Sequence, residues 1–314
     1  GLTGEFLAAM QAQDEKSWAV DLVTTATSTS LEEVYVAASA SPVLRKTQSE
    51  IIERQLQGAE FRVRNEPYDA ALKIKMADAR YDKLDVYARK IAEMGASASR
   101  HRERLVAAMI NANPLCFTGK TMFAPDHTFP GVAGAPIINN AVTTANSGIP
   151  SLTVASTTSP VPTALELATA IQDVIVHMRG YRDTEGEPIN EDASVFTLLC
   201  PTVFGGAAVS AVKDAMLFAG SGAIKDNPIR VADLQINLVQ TPRLSATDSF
   251  YLCRTDSPTR PFLWQEDLPI TTDYLGQGSE YAVLRKEYLF TVQWSGGVAP
   301  LDPSKACKAT FVTS

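Results

Sequence analysis

The residues best suited to chemistry in this sequence are Asp126 and His127, an acid beside an imidazole directly after Pro125. Such a pair can serve in a hydrolytic triad, the imidazole taking a proton from a nucleophile while the carboxylate orients it. A triad also needs its nucleophile, and no serine sits in a Gly-x-Ser-x-Gly elbow. A metal pair needs further ligands, yet no HExxH helix occurs and the chain has only three histidines, with none close to His127. The pair is therefore expected to form a turn whose side chains hydrogen-bond to backbone. A cytoplasmic hydrolase using Asp126 and His127 is the alternative.

Gly119-Lys120-Thr121 has the end of a phosphate loop but not its beginning, because position 114, where the first glycine belongs, is Pro114. His101 stands among Arg100, Arg102 and Arg104, and His177 stands beside an apolar helix face. Both are expected to be solvated or satisfied rather than pH-responsive. The run from Arg100 to Arg104 is short and broken by Glu103, which reads as a solvated or subunit-facing helix surface rather than a nucleic-acid patch. Cys116, Cys200, Cys253 and Cys307 are widely spaced with no CxxC pair, so they read as reduced, buried small residues. No cofactor or metal is expected.

A net charge of −7 argues against a grip on nucleic-acid phosphates, which depends on cations displacing counterions. It does not exclude a container for DNA, whose wall gains nothing by binding its contents tightly. No apolar run approaches the roughly 18 residues of a membrane span and no signal peptide is visible, so assembly in cytoplasm is expected.

The elements that must position these residues follow from periodicity. Residues 1–30 read as an extended arm with one short helix at residues 5–13, whose Phe6, Leu7 and Met10 cover one turn. A helix below roughly 12 residues is marginal alone, so it must lean on something else, another subunit being one candidate. Residues 31–77 read as a β ribbon, with strand signals at 33–36, 60–64 and 72–76 around a charged stretch at 45–57. Phe61 and Val63 share one face, and Lys73 and Lys75 point outward. Residues 81–113 carry an apolar stripe through Leu84, Tyr87, Ile91, Met94, Ala98, Leu105 and Met109, with a polar gap at His101 and Arg102. That helix would span roughly 45 Å, with Gly95 as a place for a bend. An uncharged tract, 128–165, reads as loops and short edges. Thr163 and Glu166 form a capping box for a second helix ending at Gly180. Strands at 195–200, 229–239 and 250–254 and a helix at 203–217 make an α/β unit. A long strand at 282–294, a Gly296-Gly297 turn and a tail strand at 309–312 close the chain.

This order of arm, charged ribbon, spine helix, α/β domain and returning strand resembles the Hong Kong 97-type capsid subunit. The local match over about residues 30–130 is to the major head subunit of Mu-like phages, the gpT family. It rests on Phe61-Arg-Val-Arg-Asn65, Tyr81-Asp-Lys-Leu-Asp85, Glu93-Met-Gly95, Phe117-Thr-Gly119 and Phe123-Ala-Pro-Asp-His127. The resemblance implies an α+β fold divided into an N-arm (1–30), an E-loop (31–77), a P-domain with the spine helix (78–160), an A-domain (161–254) and a return to the P-domain (255–314). It implies a structural protein of the virion, not an enzyme, which self-assembles into hexamers and pentamers of an icosahedral head around double-stranded DNA. Portal, scaffold or protease, and decoration proteins are the partners to expect. On this reading Arg45, Lys46, Glu50, Glu53, Arg54, Arg62 and Arg64 of the E-loop, and Arg89 and Lys90 of the spine, meet neighbouring subunits. Phe117, Gly119, Phe123, Asp126 and His127 become a family marker. An encapsulin-like compartment shell, which shares the fold, is the nearest alternative.

Overall fold

The computed structural model describes residues 2–14, 16–40, 57–80, 84–156, 159–218, 223–232 and 234–314. The chain opens with helix α1 (Leu2–Asp14). Strand β1 (Val23–Thr27) follows, then the ribbon strands β2 (Glu32–Ala38) and β3 (Gly58–Arg64) and the longer β4 (Glu66–Lys75). A short helix α2 (Met76–Arg80) leads to the spine helix α3 (Leu84–Ala112). Helix α1 leans on its own spine. Phe6 is fully buried in a cluster with Ile74, Ile91 and Phe290. The reason lies in Gly95: a Cβ there would collide with the carbonyl oxygen of Phe6 and crowd the amide nitrogen of Met10 at 3.2 Å. Gly95 therefore marks a helix crossing within the single helix α3.

The middle of the chain has two-residue strands β5 (Ala141–Val142) and β6 (Thr153–Val154) around a single turn α4 (Thr144–Ser147). Helix α5 (Ala164–Arg179) begins at the Thr163–Glu166 capping box, both reciprocal bonds being present. Beyond it come β7 (Val195–Cys200), α6 (Gly205–Lys213), the hairpin β8 (Met216–Phe218) and β9 (Ile224–Asp226), α7 (Pro228–Val231), β10 (Gln235–Gln240) and β11 (Ser249–Arg254). The helix expected over 203–217 thus ends at Lys213 and yields to a strand. The strand expected from 229 begins only at Gln235. Pro228 explains the second difference, because it stands at the first position of α7, where its missing N–H costs nothing.

Strand β12 (Phe262–Leu275), which periodicity did not single out, pairs in parallel with β1 and antiparallel with β13 (Glu287–Pro300). Helix α8 (Glu280–Arg285) joins them. Strands β14 (Ala306–Thr310) and β15 (Val312–Thr313) end the chain. The two larger sheets among the described residues are ordered β1-β12-β13-β4 and β10-β7-β11-β14-β5, beside the two-stranded pairs β15-β6, β2-β3 and β8-β9. Gly296 and Gly297 lie inside β13 instead of forming a turn. At Gly297 a Cβ would stand 2.7 Å from the Arg64 carbonyl oxygen, so the ribbon can approach β13 only over a glycine. One apolar core packs α5 on the five-stranded sheet; a second joins α3 to Trp264 and Trp294. No helix among the described residues is long and apolar enough to cross a membrane.

Candidate functional site

The ribbon has two unlike faces. Ala59, Phe61 and Val63 turn inward, where Phe61 stacks on Tyr35 at 5.4 Å and Val63 packs with Leu263 and Ala299. Strand alternation turns Glu32, Val34, Val36, Arg62 and Arg64 outward; Val34 and Val36 are 48% and 62% exposed. Arg62 pairs with Glu32 at 3.3 Å in solvent, a contact worth at most about 1 kcal/mol. A buried polar knot anchors the ribbon's root. The Asn65 amide donates to Ser28 Oγ at 2.8 Å and to the Ser30 carbonyl at 2.7 Å, and Gln265 Nε2 donates to Asn65 Oδ1 at 2.6 Å. Towards the tip, the Ala40 amide donates to Thr184 Oγ1 at 3.1 Å. Arg45, Lys46, Glu50, Glu53 and Arg54 lie outside the described residues.

On the spine, Arg89 and Lys90 are exposed, and Lys90 pairs with Glu93 at 2.7 Å. In the expected polar gap of α3, His101 is buried and Arg102 half-buried. His101 meets Tyr68 and Trp294 edge-on, Trp294 stacks on Trp264 at 4.6 Å, and the Arg102 guanidinium lies 4.9 Å from the Trp264 centroid. Aromatic rings from β4, β12 and β13 thus fill the space where polar helix residues would otherwise meet water. Burial, with the charge of Arg104, holds the His101 imidazole down at about 4. His177 is half-buried and satisfied, its Nε2 standing 2.9 Å from the Asn139 carbonyl.

Residues 113–127 form a tight loop reversing at Gly119, whose φ is 75°. The amides of Cys116, Gly119 and Met122 bond to carbonyls of Lys120, Cys116 and Pro114, so these three are committed within the loop itself. Asp126 faces solvent and pairs with Lys120 at 2.6 Å, which keeps its carboxyl below the usual range. His127 is 1% exposed; Nδ1 meets Thr118 Oγ1 at 2.8 Å and Nε2 meets Asn140 Oδ1 at 3.1 Å. Burial lowers its pKa. The expected turn with side chains bonded to backbone is corrected: acid and imidazole separate, and both bond to side chains. Asn140 takes over the backbone, accepting from the Ala124 amide and donating to the carbonyls of Met122 and Pro303. Phe117 contacts Phe129 at 5.8 Å, and Phe123 packs on Tyr251 at 5.1 Å. No group of histidine, cysteine and carboxylate side chains that could hold a metal is found among the described residues.

A further cluster, centred on a buried arginine, escaped the sequence reading. Arg254, 4% exposed, meets Asp192 at 2.7 Å and Asp256 at 2.5 Å, and its Nη1 and Lys305 Nζ both reach Asn190 Oδ1, at 3.2 and 3.0 Å. Burial opposes the ionised form of Asp256, but the Arg254 bond and the amides of Ser194 and Val195 hold it at about 2. The available signal was an arginine closing the apolar run Phe250-Tyr-Leu-Cys253.

Residues 1–150 match the family described as Mu-like prophage major head subunit gpT. Among curated proteins, none matches the chain in sequence. Solved structures do resemble it. The procapsid of bacteriophage JBD30 aligns at 16% identity and a TM-score of 0.53, over 98% of this chain and 74% of that one. The capsid of cyanophage P-SCSP1u aligns at 15% and 0.58, over 94% and 88%. The mature capsid of bacteriophage PhiM1 aligns at 11% and 0.58, over 94% and 87%. At such identities the likeness is one of fold, the Hong Kong 97-type fold, and that fold and the matched family are structural rather than enzymatic. With residues 1–150 similar in sequence to the Mu-like gpT major head subunit and nearly the whole chain sharing the fold of phage capsids, this is a capsid shell protein.

Proposed function

We propose that copies of this chain form the hexamers and pentamers of an icosahedral phage head, with the ribbon laid over a neighbouring subunit. The observation that carries this is the outward ribbon face. Val34 and Val36 stand among charged side chains, and within the chain β2 and β3 pair only with each other among the described residues. A two-stranded ribbon is marginal alone and needs a further surface. Arg62 and Arg64 are placed to fix register on that surface, with Arg45, Lys46, Glu50, Glu53 and Arg54 continuing the contact and Arg89 and Lys90 as its counterpart on the spine; charges at such boundaries set specificity more than affinity. The functional division is 1–30, 31–77, 78–160, 161–254 and 255–314.

Portal, scaffold or protease, and decoration proteins are the proposed assembly partners, in the host cytoplasm. The enclosed polymer is double-stranded DNA, which a wall from chains of net charge −7 surrounds without gripping. Deleting residues 44–57 tests the reading. The expected product is a soluble, folded subunit by circular dichroism that yields no stable shells in micrographs. Normal shells from the deletion would remove the ribbon from the interface.

A further inference from the structure

Two unmatched surfaces lie close in sequence on the α/β half of the molecule. The first is the hairpin β8–β9, whose strands pair only with each other among the described residues. Leu217 turns inward, while Met216, Phe218 and Ile224 are 60%, 75% and 60% exposed. Asp226 stands directly opposite Met216 and so shares that outer face. A cluster of large apolar side chains this exposed marks an interaction surface.

The second is the free edge of β10, the end strand of its sheet. The amide of Gln235 bonds to the Ser194 carbonyl and that of Thr241 to the Cys200 carbonyl. Alternation therefore points the backbone groups of Ile236, Leu238 and Gln240 away from the sheet. Edge strands are usually guarded by lysine, proline or a bulge. Gln235-Ile-Asn-Leu-Val-Gln240 has neither residue, and its register with β7 is unbroken. Beside it runs a groove of about 370 Å³ with an apolar floor that includes Val212 and Ile236, and with Lys213 and Arg230 on its rim. Neither cation has a carboxylate partner among the described residues; Arg230 only donates to the Lys213 carbonyl, at 3.0 Å.

We infer that the outer face of β8–β9 in one copy docks on the β10 edge and groove of the next copy. This rests on the shell reading above and deepens it by naming the surfaces. The apolar face fits the apolar floor, and Asp226 supplies the carboxylate that Lys213 and Arg230 lack. Because the two patches differ, the contact is head-to-tail, which generates rings when its rotation closes. A self-complementary contact would pair copies instead.

The test uses the full chain, with assembly read by sedimentation and micrographs and folding by circular dichroism. Phe218→Asp, Arg230→Glu and Asp226→Arg should each lower particle yield by at least roughly tenfold while leaving the subunit folded. Combining Arg230→Glu with Asp226→Arg should restore assembly. In particles of an Ile224→Cys, Asn237→Cys double variant, oxidation should give a ladder of cross-linked chains. Wild-type yield from Phe218→Asp, no rescue by the charge swap, or no ladder in intact particles overturns the inference and leaves the shell reading standing. Failure of the unaltered chain to form any particle, with or without a scaffold, brings both down.

Discussion

Burial keeps the two histidines of the spine and the marker segment neutral, and that has a consequence for acid stability. An Arg104 guanidinium can only donate, so His101 Nδ1 accepts at 2.6 Å and its proton sits on Nε2, which is buried without a partner. A folded-state value of about 4 lies below the ordinary 6.5. Between those values the unfolded chain binds the extra proton, so stability falls as pH falls, by up to about 3 kcal/mol from this residue. Urea melts at pH 7 and pH 4.5 should differ accordingly, and His101→Phe should flatten the difference. Asn140 offers a sharper test. Its four bonds, to Ala124, His127, Met122 and Pro303, use its full capacity. Asn140→Asp keeps the shape but turns the amide donor into an oxygen facing two carbonyls, with an expected loss of roughly 3 kcal/mol or more at pH 7 in the same melts.

Among the elements, the crossing of α1 over the spine depends on one absent methyl group. Gly95→Ala should favour α3 by about 1 kcal/mol through helix propensity. The same Cβ collides with Phe6 backbone, which cannot yield without lifting α1, and overpacking of this kind costs about 1–3 kcal/mol. The clash wins, since backbone has no rotamer to escape into. Hydrogen exchange should speed up over residues 2–14 while the ellipticity of the spine persists; unchanged protection would refute the crossing. Gly95 also marks the limit of local reasoning. A glycine in a helix reads equally as a bend or as a close approach, and only the partner element, eighty-odd positions away at Phe6, decides.

At the scale of the whole molecule, Cys116, Cys200, Cys253 and Cys307 are all buried and free, and burial raises each thiol, Cys200 and Cys307 to about 12. A thiol reagent at pH 8 should label none of them in the native subunit and all four in denaturant. Cross-links between natural cysteines therefore contribute nothing to joining copies, and the strength of a shell must come from summed non-covalent contacts. Rapid native labelling of any cysteine would contradict this packing.

Local patterns determined a good deal unaided. The ribbon's inward Phe61 and Val63, the spine's length, the Thr163–Glu166 cap and the buried cysteines each follow from residue spacing or type, because alternation, the helical period and capping act over a few residues. The marker Phe123-Ala-Pro-Asp-His127 pointed to a family without revealing its own geometry. Tertiary structure alone decided that α1 folds back on its spine, that Gly296 and Gly297 lie within a strand, and that His101 is roofed by Tyr68 and Trp294. It also decided that His127 answers to Asn140 and not to Asp126. In each case the deciding atom belongs to an element distant in sequence, or to a side chain whose direction only packing sets, and no local period carries that information.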